Sequence, residues 1–467
     1  MNEFKLLIDG QLVAGAATLD VINPANEELL AVAPRADIAQ LDQAIAAAKA
    51  AFPVWSAKPV RERGALLGRL ADALEARNDE FARLLTLEQG KPLSEAVWEI
   101  TFSTDIIRYH AELDLPYEVL NDNATRKVVR QRMPLGVVAA IVPWNFPVVL
   151  LVLKLAPALL AGNTVVAKPA PTTPLTTLLF GEICKQILPP GTINIIVDNN
   201  DLGGALSSHP DVTKVAFTGS TTTGKKVMSG ATSTLKRLTL ELGGNDAAIV
   251  LDDVDPVEVA PKLFVAAMMN AGQLCLGAKR IYVHESQYDR ICEELGRLAR
   301  ESVVDDGLKQ GTQMGPLQNK AQFEKVKGFL EDAKRNGKIV AGGEVLGRKG
   351  YFVQPTIVRD IADDARLVTE EQFGPVVPVL RYSDVDDAIA RANNSEYGLA
   401  GTVWGKDLDR AFCVAAKIET GTVWINKFLD VSPDIPFGGA KQSGVGEELG
   451  REGLEAYTQA KIINMAK

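Results

Sequence analysis

The run Val215-Ala-Phe-Thr218-Gly219-Ser-Thr-Thr-Thr-Gly224-Lys225 decides how this chain is read. A short β-prone stretch stops at a glycine, a hydroxyl-rich loop follows, and a second glycine leads into a segment of helical length. That is the layout in which backbone N–H groups at a helix N-terminus receive a phosphate. The spacing matches GxxxxGK of a triphosphate-binding loop until Lys226, which stands where a Ser or Thr hydroxyl would hold magnesium. It does not fit GxGxxG. Taken alone, the run is a strand-to-helix turn well placed for phosphate. Working outward, the β-branched runs Val137–Val142, Thr164–Ala167, Asn194–Val197 and Ala247–Val250 recur, some separated by helix-length segments such as Leu175–Leu188. Strands alternating with helices predict a parallel sheet covered on both faces. A second α/β series past Leu251 has strands near Arg280–Val283, Val376–Leu380 and Thr422–Ile425.

Towards the N-terminus, Ile38, Leu41, Ile45, Ala48 and Phe52 repeat at helical spacing behind Asp37, a suitable N-cap. Further helices are predicted from Arg61 through Leu67, Leu70 and Leu74, and from Asn78 to a stop at Gly90, so the first hundred residues should be mainly helical. The stretch Leu135–Leu153 has no charge and approaches the ~20 residues of a membrane span. Pro143 and Pro147 break it, because each removes an N–H donor, which predicts a buried strand, a turn and a buried helix start. Between Glu118 and Met133 a ribbon polar on both faces cannot bury a face by itself. It is either an arm that pairs with another subunit and with the last strand Lys461–Met465, or a solvated surface hairpin.

With 467 residues, the chain has room for two or three domains at roughly 150 residues each. Its 46% apolar and 23% charged composition excludes disorder as the main theme. A net charge of −9, with only Arg126–Arg132 locally basic, argues against nucleic acid. Cys184, Cys275, Cys292 and Cys413 lie far apart without a CxxC pair, so neither a disulfide framework nor a thiolate metal site is expected. A reducing, cytoplasmic home fits. The N-terminal MNEFKLLIDG does not resemble a secretory leader, and no membrane anchor is expected.

Three residues carry the candidate chemistry. Cys275 lies on a glycine-flanked loop between a helical run and a strand, where loops position reactive groups. By contrast Cys184, Cys292 and Cys413 read as small buried hydrophobes. His110, His209 and His284 include no pattern diagnostic of a base, so a carboxylate must serve. Glu241, flanked by Leu240 and Leu242, would have a raised pKa if buried, which suits proton transfer near neutrality. Asn145, set between Trp144 and Phe146 in the charge-free run, must hydrogen-bond backbone or donate to an oxyanion.

Six motifs in order, PWNFP (143–147), FTGSTTTGK (217–225), LELGG (240–244), NAGQLC (270–275), EEQFGP (370–375) and PFGGAKQSG (436–444), resemble the NAD(P)-dependent aldehyde dehydrogenase superfamily. NPA (23–25), EQGKP (88–92), PPGTIN (189–194) and GYFVQPT (350–356) agree, so the likeness spans nearly the whole chain. The resemblance implies an α/β chain: a Rossmann-like parallel-sheet cofactor domain (1–115 and 134–243), an α/β catalytic domain (244–445) and a small β oligomerisation arm (116–133 and 446–467). It further implies Cys275 as the nucleophile, Asn145 with the Cys275 N–H as oxyanion donors, and Glu241 as the base that hydrolyses the thioester. For the cofactor it implies Trp144, Lys168, Gly219, Ser220 and Gly224 at the ribose and phosphates, with Glu371 and Phe373 at the nicotinamide end. Around the aldehyde it places Val149, Leu153, Met269, Leu274, Leu276, Phe428 and Phe437. None of these is charged, so an uncharged aliphatic or aryl-alkyl aldehyde is expected, Lys427 being the one nearby cation. A homodimer or homotetramer is expected.

Two departures stand out. Many members carry a Glu three residues after the strand-end lysine to bind the ribose 2′-hydroxyl; here Pro171 follows Lys168, so NAD is expected with NADP also accepted. Asn245 replaces a frequent Lys after the paired glycines, and Asp246 follows it. The alternatives are an acylating member using coenzyme A, which Glu241 argues against, and an inactive relative kept for binding, which the joint presence of Cys275, Glu241 and Asn145 argues against.

Overall fold

A computed structural model describes residues 3–467. Its first sheet has eight strands in the order Gln11–Val13, Leu6–Ile8, Ile193–Ile195, Thr164–Lys168, Val137–Ile141, Val212–Thr218, Arg237–Glu241 and Gly444–Val445. The five from Ile193–Ile195 to Arg237–Glu241 run parallel. Val137–Ile141 lies at their centre and is buried along its whole length, as a strand covered on both faces must be. From it the chain adds strands on one side (164–168, 193–195) and then on the other (212–218, 237–241). The order therefore reverses between Val137–Ile141 and Val212–Thr218. At such a switch point the loops leaving the strand ends diverge and open a crevice. Here those loops are the turn Pro143–Pro147 and the loop beginning at Gly219.

Seven strands form the second sheet, in the order Lys338–Ala341, Thr356–Arg359, Val376–Tyr382, Arg280–His284, Ala247–Val250, Ala400–Trp404 and Thr422–Ile425, parallel except at the first pair. The last strand, Thr458–Ala466, pairs along its whole length with Arg126–Pro134, which also pairs with Glu118–Asp122. The ribbon predicted to be polar on both faces thus finds the C-terminal strand. Its basic run is answered by carboxylates, Arg130 by Glu118 and Arg132 by Glu455.

The helices Ile38–Ala57, Val60–Glu75 and Asn78–Gln89 form where the periodicity placed them. Asp37 caps the first by accepting from the Gln40 N–H, and Gly90 ends the third with φ 100°. The first hundred residues are mainly helical, as expected, but the helices begin only at Ile38. Before it lie four strands between Leu6 and Arg35, two of them only three residues long and too short to leave a periodic signal. One expectation is corrected. Cys413 is exposed rather than buried, because the helix Leu408–Ala415 buries Ala411 and Val414 and turns Cys413 outward beside Phe412. The helix Leu93–Glu112, unread in the sequence, matters most for the site. No helix among the described residues is long and apolar enough to cross a membrane.

Candidate active site

Cys275 is carried on a segment whose backbone is held in left-handed conformations at Asn270, Ala271 and Gly272, with φ of 51°, 54° and 70°. A side chain at Gly272 would collide with the Gly374 carbonyl, so glycine lets the EEQFGP segment close against the cysteine loop. A similar approach occurs at the LELGG turn. A Cβ on Gly244 would stand 2.6 Å from the Cys275 carbonyl, and one on Gly243 would stand 2.8 Å from Glu371 Oε2. The Gly244 N–H donates to Glu371 Oε1 at 3.0 Å. Three distant motifs therefore meet at two glycines.

Cys275, Asn145, Trp144, Leu242, Glu371 and Phe373 line one cavity of about 190 Å³. Trp144 and Phe373 meet edge to face across it, ring centroids 5.4 Å apart. The Asn145 side chain donates one N–H to the Gln273 carbonyl at 3.2 Å, which occupies one of its two amide donors. Burial pushes the Cys275 thiol up to about 12, aided by the carboxylates of Glu371, Asp246 and Glu241 and opposed by the Lys279 ammonium.

A second cavity of about 530 Å³ shares Pro143, Trp144, Thr218, Gly219 and Ser220 with the first and extends along the strand ends to Lys168, Gly203, Gly204, Thr223 and Lys226. It lies in the crevice that the strand order opens. Ser220 caps the helix Thr221–Gly230 through the Thr223 N–H, and Gly224 is pressed against Leu242, where a larger residue would not fit. Lys168 is not free: its ammonium lies 2.5 Å from Asp198 Oδ1, and the other Asp198 oxygen accepts the Leu202 N–H at 2.8 Å.

Glu241 ends its strand opposite Thr218 in register, and it is not among the residues that line the first cavity, although Thr218 and Leu242 are. Its Oε1 is buried without a partner among the described residues. Burial raises its pKa well above the carboxylate range, Glu448 raises it further, and Lys154 opposes both. Asp246 is likewise raised by burial, its Oδ1 accepting the Ala400 N–H at 3.0 Å, while the Asn245 amide donates to the Val368 carbonyl at 2.8 Å. These two positions brace the second sheet against the site.

Val149, Leu274 and Leu276 are buried in one apolar cluster against which Leu153, Met269, Phe428, Phe437 and Cys275 pack. The seven candidate substrate contacts thus belong to the same extended apolar core as the cysteine, and none lines the two cavities above. Met269 faces a separate cavity of about 410 Å³ with Met268, Met314 and Glu95. Lys427 is paired with Asp430.

Sequence reasoning missed Gln322 and Lys325, whose side chains hold the carbonyls of Phe373 and Glu371 at 2.8 and 2.9 Å, and Asp198 and Glu448, which carry no local signal. Lys154 did carry one. A lone lysine in Pro147–Ala161, among residues that are nearly all apolar, has to be buried and paired.

A family model described as the aldehyde dehydrogenase family matches residues 12–463. The mitochondrial aldehyde dehydrogenase of Leishmania tarentolae is 41% identical, over 99% of this chain and 95% of its own. Among solved structures, an NAD+ complex of an aldehyde dehydrogenase from Bacillus cereus aligns with TM-score 0.97 and 38% identity, over 100% of this chain and 97% of that one. An NADP-dependent enzyme from E. coli aligns with TM-score 0.97 and 36% identity, over 100% of this chain and 98% of that one.

Proposed function

The chain belongs to the aldehyde dehydrogenase family, and from that premise we propose that it oxidises uncharged aliphatic or aryl-alkyl aldehydes to carboxylic acids through a thioester on Cys275, using NAD. The observation that carries this reading is the shared cavity of Cys275, Asn145, Glu371 and Phe373, opening onto the crevice at Gly219.

The residues fit a dinucleotide. Carboxylate oxygens of Glu371 sit at the paired glycines for the ribose hydroxyls, and the start of the helix Thr221–Gly230 faces the crevice for the pyrophosphate. In this reading the Cys275 thiol first releases its proton to water, the Lys279 ammonium favouring the charged sulfur, and the thiolate attacks the carbonyl carbon; a C–S bond forms and the π pair moves to oxygen. The oxyanion is met by the free Asn145 side-chain N–H and the Cys275 backbone N–H. Loss of hydride from the carbon, for which NAD held in the crevice would be the acceptor, converts the adduct on Cys275 to a thioester. Glu241 then takes a proton from water, the hydroxide adds to the thioester, and the C–S bond breaks to release the acid and the thiolate. The cofactor part is assigned to 1–115 and 134–243, the catalytic part to 244–445, and the arm at 116–133 and 446–467 to a homodimer or homotetramer. Four free cysteines suit a reducing, cytoplasmic setting.

A panel of aldehydes, followed by absorbance of the reduced nicotinamide, tests the proposal. Each added methylene should raise kcat/KM about fourfold, the equivalent of ~0.8 kcal/mol, until the aldehyde pocket is filled. A preference for succinic semialdehyde over a neutral aldehyde of similar length would overturn the substrate class. Normal turnover by Cys275→Ala would overturn the mechanism.

A further inference from the structure

Buried charge is also concentrated outside the residues assigned so far, on the segment Gln89–Glu99 that leads into the helix Leu93–Glu112. Lys91 and Glu99 have no solvent exposure and pair at 2.5 Å. Apolar residues of similar volume serve stability about as well as a buried ion pair, so contacts must explain what this one does. The Lys91 ammonium donates to the Asn145 backbone carbonyl at 3.0 Å and lies 3.6 Å from the centre of the Phe146 ring. Glu99 Oε1 accepts the N–H groups of Val148 at 2.9 Å and Val149 at 3.2 Å. One pair therefore grips both sides of Pro147.

The same segment holds the cysteine loop. Glu95 Oε2 accepts the Asn270 N–H at 3.0 Å, and the Gln89 amide donates to Asn270 Oδ1 at 3.0 Å. Asn270 in turn donates to the Asn145 carbonyl at 3.0 Å, beside Lys91. Both the turn that carries the Asn145 amide and the loop that carries Cys275 are thus referred to one short piece of chain.

We propose that Lys91 and Glu99 are positioning residues: by clamping the Asn145 carbonyl and the start of the helix Pro147–Ala161, they set the place of the Asn145 side-chain amide relative to Cys275. An oxyanion donor works through being in place before charge develops, and small displacements of such groups are costly to rate. The proposal rests on the reading of Asn145 as an oxyanion donor, and its test separates the two.

The test is a double-mutant cycle read in the pre-steady-state burst of reduced cofactor, with Asn145→Ala, Lys91→Met, Glu99→Gln and the two doubles. Asn145→Ala should slow the burst by about 100-fold or more; an unchanged burst would remove Asn145 from its role. Lys91→Met should slow it by roughly 10- to 100-fold when Asn145 is present and by less than about 3-fold when it is absent, with NAD affinity unchanged, because the lysine then acts through the amide. Equal losses in both backgrounds, alongside a slowed Asn145→Ala burst, would leave the pair a purely structural role and overturn the proposal. Should Lys91→Met fail to fold, Glu99→Gln keeps the volume and an acceptor for the Val148 and Val149 amides and carries the same cycle.

Discussion

Lys154 and Glu448, 294 positions apart, meet as a buried ion pair of 2.6 Å, with the Lys154 ammonium also 2.6 Å from the Thr218 hydroxyl. Thr218 is the register partner of Glu241. The proposed base therefore sits beside a lysine already committed to another carboxylate, and its own Oε1 has no partner among the described residues.

Glu241→Gln should separate the two halves of the reaction. Hydride transfer needs the thiolate and the oxyanion donors, whereas thioester hydrolysis needs a base. One equivalent of reduced cofactor should appear in a burst, followed by turnover slower by about 100-fold or more. A steady rate equal to wild type would take Glu241 out of the role.

The pH profile should follow the partner of Lys154. Glu448 raises the Glu241 pKa, after burial itself, and Lys154 lowers it. Glu448→Gln removes a raising influence, so Glu241 ionises at lower pH and the acid limb of kcat moves to lower pH. Lys154→Met should move it the other way. Measuring kcat against pH with an aldehyde whose deacylation is rate-limiting checks both signs.

Cofactor choice should turn on Asp198. Pro171 offers no carboxylate to repel a 2′-phosphate, yet the cation beside it, Lys168, is held by Asp198. Asp198→Asn should release the ammonium and raise kcat/KM for NADP relative to NAD by about tenfold, the scale of one charge-assisted contact. An unchanged ratio would mean that Lys168 does not face the 2′ position.

Stability should fall in acid through His110. The ring is buried in the helix Leu93–Glu112, with Nδ1–H donating to the Ile106 carbonyl at 2.8 Å and Nε2 without a partner among the described residues. Burial pushes its pKa down to about 4. The unfolded chain takes up the proton first as pH falls, so this contribution is complete above the ordinary value near ~6.5 and is lost towards pH 4, about 3 kcal/mol in all. Denaturant unfolding at several pH values should show that slope, and His110→Met should reduce it by that amount.

What the sequence by itself determined was whatever is written in near neighbours. The β-branched runs, the helical spacing behind Asp37 and the prolines at 143 and 147 each act within a few residues, and strand, helix and turn followed from them. The unusual settings of Cys275, Glu241 and Asn145 were equally local: a reactive group on a glycine loop, a carboxylate between leucines, an amide in an apolar run. The tertiary structure decided which of these meet, and which charges they share. The strand order places the turn after Ile141 beside the loop after Thr218, and neither loop encodes that adjacency. Lys154 with Glu448, Lys168 with Asp198, and Lys91 with Asn145 are pairs in which a buried charge must find its partner across the fold. Electrostatic energy depends on distance in space and on exclusion of water, quantities that separation along the chain does not contain.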